Sequence, residues 1–173
     1  LKPKHVSKLS TALEERYILS LTHSTIKKVT QAFDDYEFPS VPHLIDHLFL
    51  ELSRTYIQSI RDKGSAGTEQ EKQTVLNVCY DVFMTILKMF APVAPFITEY
   101  IYQNMKNTFS LDVESIHLHQ WPVAEENFID AALEENMCIA KNTIQAILSG
   151  REKVKLGVRW PIAAVKIITS DKK

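Results

Sequence analysis

The chain has 173 residues, of which 45% are hydrophobic, and its 20 Lys and Arg against 21 Asp and Glu give a formal net charge of −1. With 4 Gly and 7 Pro it is not a collagenous or low-complexity chain, and it is long enough to bury a core without staples. Its longest uncharged apolar stretch, residues 89–98, falls far short of the roughly 20 residues that span a bilayer. These values predict one soluble domain and no membrane protein.

The two cysteines indicate the compartment. Cys79 and Cys138 both lie within apolar helical patterns and not in a CxxC motif, so we expect buried thiols in a reducing, cytoplasmic environment. Residues 1–5 contain neither an initiator Met nor a signal-peptide core. We therefore expect the chain to begin inside a larger protein.

Apolar residues recur at helical spacing over most of the chain, which predicts a mainly α-helical fold. Thr68 and Glu71 have the spacing of a capping box at one helix start. Pro92 is expected to end that helix near Phe90, and Pro95 to lie in the first turn of the next one. Gly157 is expected to cap the last helix. The predicted helices cover about 10–37, 41–62, 69–90, 95–106 and 126–156.

Two segments have a different pattern. In residues 107–122, Ile116 and Leu118 alternate with two histidines, which predicts a short extended crossover on the helical bundle. Residues 162–169 are rich in Val and Ile and predict a strand without a partner in this sequence. We expect its partner strands beyond Lys173.

The histidines do not predict a metal site. His43 and His47 are one helical turn apart, but Leu44 stands where an HExxH motif needs its Glu. His117 and His119 have no further ligand at suitable spacing. We expect solvated or packing histidines and no bound metal.

The most basic stretch of the chain lies near its C-terminal end. Arg151, Lys153, Lys155 and Arg159 place four cations in nine residues, followed by Trp160. Phosphate binding needs such a local excess whatever the net charge of the chain. A charged, solvated helix face explains the same pattern equally well.

A second possible phosphate anchor is formed by Arg54 and Arg61. They are seven residues apart, so we expect them to share one helix face with Gln58. Here, too, a solvated face is an equal alternative.

Several motifs resemble the anticodon-binding part of the class I aminoacyl-tRNA synthetases for branched aliphatic amino acids. Residues 15–20, E-R-Y-I-L-S, are similar to D-R-W-I-L-S, with Tyr17 expected to fill a core site in place of Trp. Residues 52–57, L-S-R-T-Y-I, are similar to L-S-R-W-Y-I. Residues 90–102 resemble L-A-P-x-x-P-F-x-x-E-x-I-Y.

Two further motifs extend the resemblance over nearly the whole chain. Residues 115–122 are similar to S-V-H-L-x-x-W-P, and residues 151–161 to R-E-K-A-K-I-K-V-R-W-P. The latter is most similar to isoleucyl-tRNA synthetases of the archaeal and eukaryotic type. The HIGH and KMSKS motifs of the catalytic domain do not occur in this sequence.

The resemblance implies a helical anticodon-binding bundle over 1–160 and the start of an α/β junction domain over 161–173. It implies recognition of the anticodon stem-loop of isoleucine tRNA, with the catalytic and editing domains of the parent enzyme as partners. It also implies no catalytic residue and no cofactor in this chain, because ATP belongs to the catalytic domain. Phosphate contacts would fix the stem, while aromatic and polar groups would read unpaired bases.

The candidate tRNA-binding residues are four arginines, one lysine and one tryptophan that could stack on a base: Arg54, Arg61, Arg151, Lys155, Arg159 and Trp160. A Trp-Pro pair at a helix-to-strand junction is also commonly a buried hinge. The alternatives for the whole chain are the same domain of a valyl or leucyl enzyme, or a helical protein-interaction scaffold. Phe83 and Phe96 are expected in the core.

Overall fold

The computed structural model of the chain describes residue 3 and residues 12–166. It divides into two compact units, the first ending at Ala131 and the second beginning at Ala132. No helix of the described part combines the length and the apolar run that a membrane crossing requires. The boundary predicted at residue 160 stays a prediction.

Helix α1, Leu13–Asp34, lies within the range predicted for the first helix; residues 10 and 11 are outside the described part. Its buried face includes Tyr17, as expected, together with Ile18 and Val29. Buried hydroxyls on this helix donate to backbone carbonyls of the same helix. The Thr22 hydroxyl, for example, donates to the carbonyl of Ile18 at 2.7 Å. A polar side chain can therefore lie in the core without an unsatisfied donor.

The second predicted helix, 41–62, is interrupted. Helix α2, Val41–Leu50, is followed by a π-helical turn, Glu51–Tyr56, and by two short helices, α3, Ile57–Ser59, and α4, Arg61–Ala66. A π turn holds one residue more than an α turn would, so it shifts the direction of all later side chains. Residues 63–66, which lie between the second and third predicted helices, belong to α4.

Helix α5, Glu69–Phe90, begins at the predicted capping box. The Thr68 side chain accepts a hydrogen bond from the Glu71 amide, and the Glu71 carboxylate accepts one from the Thr68 amide at 2.7 Å. Helix α6, Pro95–Phe109, has Pro95 in its first turn. Both starts confirm the sequence prediction. One core cluster joins the two helices: Met84, Leu87, Ala91, Tyr102 and Ile116.

Residues 111–130, the crossover segment, lie across the first unit. The indole Nε1 of Trp121 donates to Thr30 on α1 at 2.8 Å, and the amide of Glu125 donates to His23 Nδ1 at 3.0 Å. The amide of Asp130 donates to the Ser20 hydroxyl at 2.8 Å. Three hydrogen bonds thus attach this segment to α1, which lies far from it in the sequence.

The crossover segment is not extended at residues 116–118, in the stretch where apolar residues alternate with histidines and an extended structure was predicted. Ile116–Leu118 forms a 3-10 turn, with Ile116 buried and Leu118 exposed. The amide of Ile116 is bound by Glu99 and that of His117 by the Ser115 hydroxyl. These side chains accept the hydrogen bonds that the backbone of a neighbouring strand would accept in a sheet.

Helix α7 covers Ala131–Lys153. Ala131 is the last residue of the first unit, and the rest of the helix belongs to the second unit. The helix starts five residues later than predicted, after a 3-10 turn at Glu126–Phe128. Residues 162–166, the described part of the predicted strand, are in no strand. Residues 167–169 lie outside the described part. The expectation of a mainly α-helical bundle is confirmed.

Three helices end at a non-glycine residue in the left-handed region. Tyr36, Ser110 and Lys155 have φ values of 60°, 56° and 54°. After α7, the Lys155 amide donates to the Glu152 carbonyl and the Leu156 amide to the Arg151 carbonyl, each at 2.9 Å. This is a Schellman motif. The predicted cap at Gly157 was wrong, because α7 ends at Lys153 and Lys155 is the left-handed residue that caps it.

Two core predictions were also wrong. Phe96, in the first turn of α6, is 91% exposed, whereas Phe83 is partly buried against the core cluster. Cys138 on α7 is exposed, while burial raises the pKa of Cys79 to about 11. Apolar residues in a helical pattern do not always face the core, because a helix can carry more apolar residues than its buried face takes.

Candidate nucleic-acid interface

Arg54 lies in the π turn between α2 and α3. Its neighbours Leu52 and Tyr56 are buried, while the Arg54 side chain is exposed. It makes no ion pair with any residue that the structure describes. The turn therefore presents a free guanidinium to solvent.

Arg61 is exposed at the start of α4. The prediction that it shares a face with Arg54 assumed a regular helix. The π turn and the break at Ile60, where φ is −98° and ψ is 5°, lie between them. A spacing of seven residues consequently no longer fixes a common face, although both side chains are accessible.

Four other cations of the first unit are paired with carboxylates. Arg16 pairs with Asp130 at 3.0 Å and Lys27 with Glu126 at 2.7 Å. Lys63 lies 3.3 Å from both Glu14 and Glu15, and Lys72 lies 3.3 Å from Glu69. Arg54 and Arg61 differ from these residues because their charges are not compensated by contact within the described residues.

The second unit carries the other four candidates. Lys155, Arg159 and Trp160 are exposed, and Trp160 keeps 66% of its surface in solvent. The buried-hinge alternative for Trp160 was therefore wrong. Arg151 is half-buried, and its Nη2 donates to the carbonyls of Gly157 and of Trp160. These two hydrogen bonds could not be predicted from the sequence, because no spacing rule links an arginine to loop carbonyls.

Several residues of the first two motifs that carry the resemblance lie in the interior. Tyr17 of the first motif donates to Glu51 at 2.9 Å, and Tyr56 of the second is fully buried. Glu15 is buried beside Lys63; although burial lowers the pKa of Lys63, the carboxylates of Glu15 and Glu14 raise it above its ordinary value. These motif residues build the scaffold, and the exposed arginines and lysine around them supply the surface charge.

No group of three or more metal-ligating side chains occurs within residue 3 and residues 12–166. His43 and His47 are exposed, as predicted for a solvated face, and His47 Nε2 is 4.0 Å from Glu51. His119 instead packs on Tyr102, with its Nε2 3.0 Å from the phenol oxygen. These three histidines thus serve in packing or face solvent.

Chemically, the exposed arginines and lysine can contact phosphate, and the exposed indole offers a flat face for a base. These side chains are therefore suited to contacts with a nucleic acid.

Comparison with known proteins agrees with this description. Residues 15–167 match the family described as the anticodon-binding domain of tRNA ligase. The chain is 34% identical over 157 residues to an isoleucine–tRNA ligase of Methanosarcina mazei, and this match covers 89% of this chain and 15% of that protein. It is 35% identical over 160 residues to the isoleucine–tRNA ligase of Thermococcus kodakarensis, covering 91% of this chain and 15% of that protein.

A third relative, the isoleucine–tRNA ligase of Pyrococcus horikoshii, is 30% identical over 168 residues. The match covers 96% of this chain and 16% of that protein, so this chain spans about one sixth of the length of these relatives. The family match extends over most of the chain and includes the helices described above. The chain belongs to the family of anticodon-binding domains of tRNA ligases.

Proposed function

We propose that this chain is the anticodon-binding domain of an isoleucine–tRNA ligase and binds the anticodon stem-loop of isoleucine tRNA. The observation that carries the proposal is similarity over about nine tenths of the chain to proteins named isoleucine–tRNA ligase. Those names favour isoleucine over the valyl and leucyl alternatives. The basic motif of residues 151–161 supports the same choice.

In this proposal, binding rests on exposed cations that have no carboxylate partner among the described residues. Arg54 and Arg61 in the first unit, and Lys155 and Arg159 in the second, contact phosphates. Each contact releases condensed counterions, so it contributes affinity although the chain has a net charge of −1. Cations such as Arg16, already paired with Asp130, contribute less because binding would first break an ion pair.

The activity of the whole enzyme is part of the proposal. The parent protein attaches isoleucine to its tRNA with ATP, through catalytic and editing domains that this chain does not contain. No residue of this chain has a catalytic role, and ATP binds outside it. We also propose that the parent enzyme works in the cytoplasm, where aminoacylated tRNA is consumed.

The test is a titration of the protein with transcribed isoleucine tRNA over a range of salt concentrations. Replacing Arg54 and Arg61 together by Gln is expected to reduce the slope of log affinity against log salt by about 1.4 to 1.8, or 0.7 to 0.9 for each lost contact. Arg16→Gln is the matched control, an exposed arginine that is already paired. Its slope is expected to stay near that of the unmodified protein.

The same titration with leucine and valine tRNA tests the amino acid. Equal affinity for all three tRNAs would refute the isoleucine assignment and leave the anticodon-binding role intact. Absence of binding to any of them at low salt would refute tRNA recognition and favour the protein-interaction scaffold.

A further inference from the structure

The loop after α7, residues 154–160, is held by the side chain of Arg151, and we call it the C-terminal basic loop. Nη2 of Arg151 donates to the carbonyl of Gly157 and, at 2.6 Å, to that of Trp160. The Nε atom of the same guanidinium is shielded from solvent. Arg151 is therefore turned toward the loop backbone and is badly placed to contact a phosphate.

Backbone hydrogen bonds fix the loop at both ends. At its start, the Schellman motif places Lys155 in the left-handed region. At its end, the Trp160 amide donates to the Gly157 carbonyl at 3.0 Å, which closes a tight turn. The Arg151 side chain joins the two ends, because its hydrogen bonds reach from the last turn of α7 to the closing turn. The loop is thus ordered before any ligand binds.

The Trp160 indole is held at one edge and open elsewhere. A Cβ atom placed on Gly157 would lie 3.4 Å from Cδ1 of Trp160, so the five-membered ring lies beside the Gly157 backbone. The residue as a whole is 66% exposed. The other tryptophan, Trp121, is half-buried, donates to Thr30 and packs edge-on against Phe33. Of the two tryptophans, Trp160 is therefore the one with its ring accessible to a ligand.

We propose that the C-terminal basic loop binds one unpaired nucleobase, stacked on Trp160, and that Arg151 is the positioning residue that holds Trp160 in place. Arg159, which precedes Trp160 in the chain and is exposed, contacts the phosphate of the same nucleotide. This inference rests on the proposed tRNA function and names the part of the RNA that the loop takes.

Two physical arguments support the choice of ligand. Stacking needs a free base face, which a continuous duplex does not offer, whereas single-stranded loops splay their bases out. A preordered aromatic ring also loses little conformational freedom on binding, so more of the stacking free energy appears as affinity. A duplex would use the cations of the loop and leave the indole unused.

The test uses the Trp121→Phe protein, in which Trp160 is the sole tryptophan. The probes are a single-stranded RNA heptamer and an RNA duplex of equal total charge. We expect the single strand to quench Trp160 emission and the duplex to leave it unchanged. Trp160→Ala, in the chain that keeps Trp121, is expected to weaken single-strand binding about 5- to 150-fold, as for the loss of one stacked base.

The role of Arg151 is tested by comparing Arg151→Met with Arg159→Met. Arg151→Met is expected to weaken binding while leaving the salt slope unchanged, and to add nothing when combined with Trp160→Ala. Arg159→Met is expected to lower the slope by about 0.7, as for one phosphate contact on single-stranded RNA, and to be additive with Trp160→Ala. Circular dichroism checks that α7 stays folded in both variants.

If Arg151→Met unfolds α7, Arg151→Lys replaces it in the test. It keeps the charge, but its nitrogen is one bond closer to the backbone and cannot reach both carbonyls. We expect Arg151→Lys to lose the quenching of Trp160, whereas a phosphate contact would survive in this variant. A lower salt slope in Arg151→Met, additive with Trp160→Ala, would overturn the positioning role.

Failure of this inference differs from failure of the proposed function. If isoleucine tRNA binds but no single strand quenches Trp160, the stacking site is refuted and tRNA recognition stands. If no tRNA binds at all, the proposed function fails, and single-strand quenching alone would then describe a general RNA site.

Discussion

The Glu99 carboxylate accepts a hydrogen bond from the Ser115 hydroxyl at 2.8 Å. The same oxygen, Oε2, accepts a second bond from the Ile116 amide at 3.0 Å, and the other oxygen accepts one from Gln103 at 2.7 Å. Glu99 lies on α6 and Ser115 in the crossover segment. One carboxylate therefore ties the crossover segment to the helix before it.

This arrangement predicts an acid-sensitive attachment. Burial acts to raise the pKa of Glu99, but hydrogen bonds from Gln103, Ser115 and the Ile116 amide hold it below its ordinary value of 4.5. A carboxylate with a depressed pKa in the folded state stabilises the protein above about pH 4.5, and that contribution is lost as the pH falls through the folded-state pKa. Glu99→Gln is expected to cost about 1.5 to 3 kcal/mol at pH 7.

Urea unfolding between pH 7 and pH 3 measures this effect. The difference in free energy of unfolding between the unmodified protein and Glu99→Gln is expected to shrink below pH 4.5. Glu114→Gln is the control, an exposed carboxylate in the same segment, and is expected to change stability by less than about 0.5 kcal/mol. A constant difference at every pH would contradict the prediction.

Ser110 ends α6 with a φ of 56°, a conformation that costs an L-residue about 1 to 2 kcal/mol. Ser110→Gly removes this cost, although glycine also makes the unfolded chain more flexible. We expect a net gain of about 0.5 to 1 kcal/mol in the free energy of unfolding. Ser110→Ala serves as the control and is expected to give no gain; a gain from both would point to a cause other than backbone strain.

Two buried tyrosines give a matched pair. The Tyr17 hydroxyl donates to Glu51 at 2.9 Å, whereas the Tyr56 hydroxyl is buried without a hydrogen bond to any described residue. Burial, and then the charge of Glu15, raise the pKa of Tyr56 far above its ordinary value. Tyr17→Phe is expected to cost about 1.5 to 3 kcal/mol, as for a bond to a charged group, and Tyr56→Phe to be neutral or stabilising.

Urea unfolding of the two variants decides this prediction. An equal loss in both would show that the Tyr56 hydroxyl does have a partner in solution. A gain in Tyr56→Phe would show that the hydroxyl is left unsatisfied in the folded state.

The two cysteines are expected to react at very different rates. Cys138 is exposed, and burial raises the pKa of Cys79 to about 11, so at pH 8 the thiolate that attacks is scarce at Cys79. A disulfide reagent is expected to modify one thiol per chain quickly under native conditions and the second only on unfolding. Cys138→Ser removes the fast phase; a fast phase that remains in this variant would contradict the assignment.

Local signals with a direct chemical basis were predictable from the sequence. The capping box at Thr68 and the first-turn Pro95 each act on their own backbone, so spacing alone identifies them. Phe96 was mispredicted because its burial depends on which neighbour faces it, which periodicity does not report. The π turn at Glu51–Tyr56 carries no Gly or Pro signal and interrupts an otherwise continuous apolar pattern.

The candidate site shows the same division. The charge and composition of residues 151–160 identified a basic segment, and exposure supports Arg159 and Trp160 as surface groups. The sequence could not separate Arg151 from the other cations, because its partners are backbone carbonyls that exist only once the loop has folded. Composition identifies charge, and only the folded backbone decides where that charge is directed.

The attachment of the crossover segment to α1 has a consequence for how the chain folds during synthesis. Ser20 and Asp130 are separated by 110 residues, and ribosomes add about 5 to 20 residues per second. The face of α1 that this segment covers therefore stays exposed for roughly 5 to 20 s after its own synthesis. During that interval Ser20, His23 and Thr30 are open to water and to other chains, and this side of the bundle is the last part of the first unit to close.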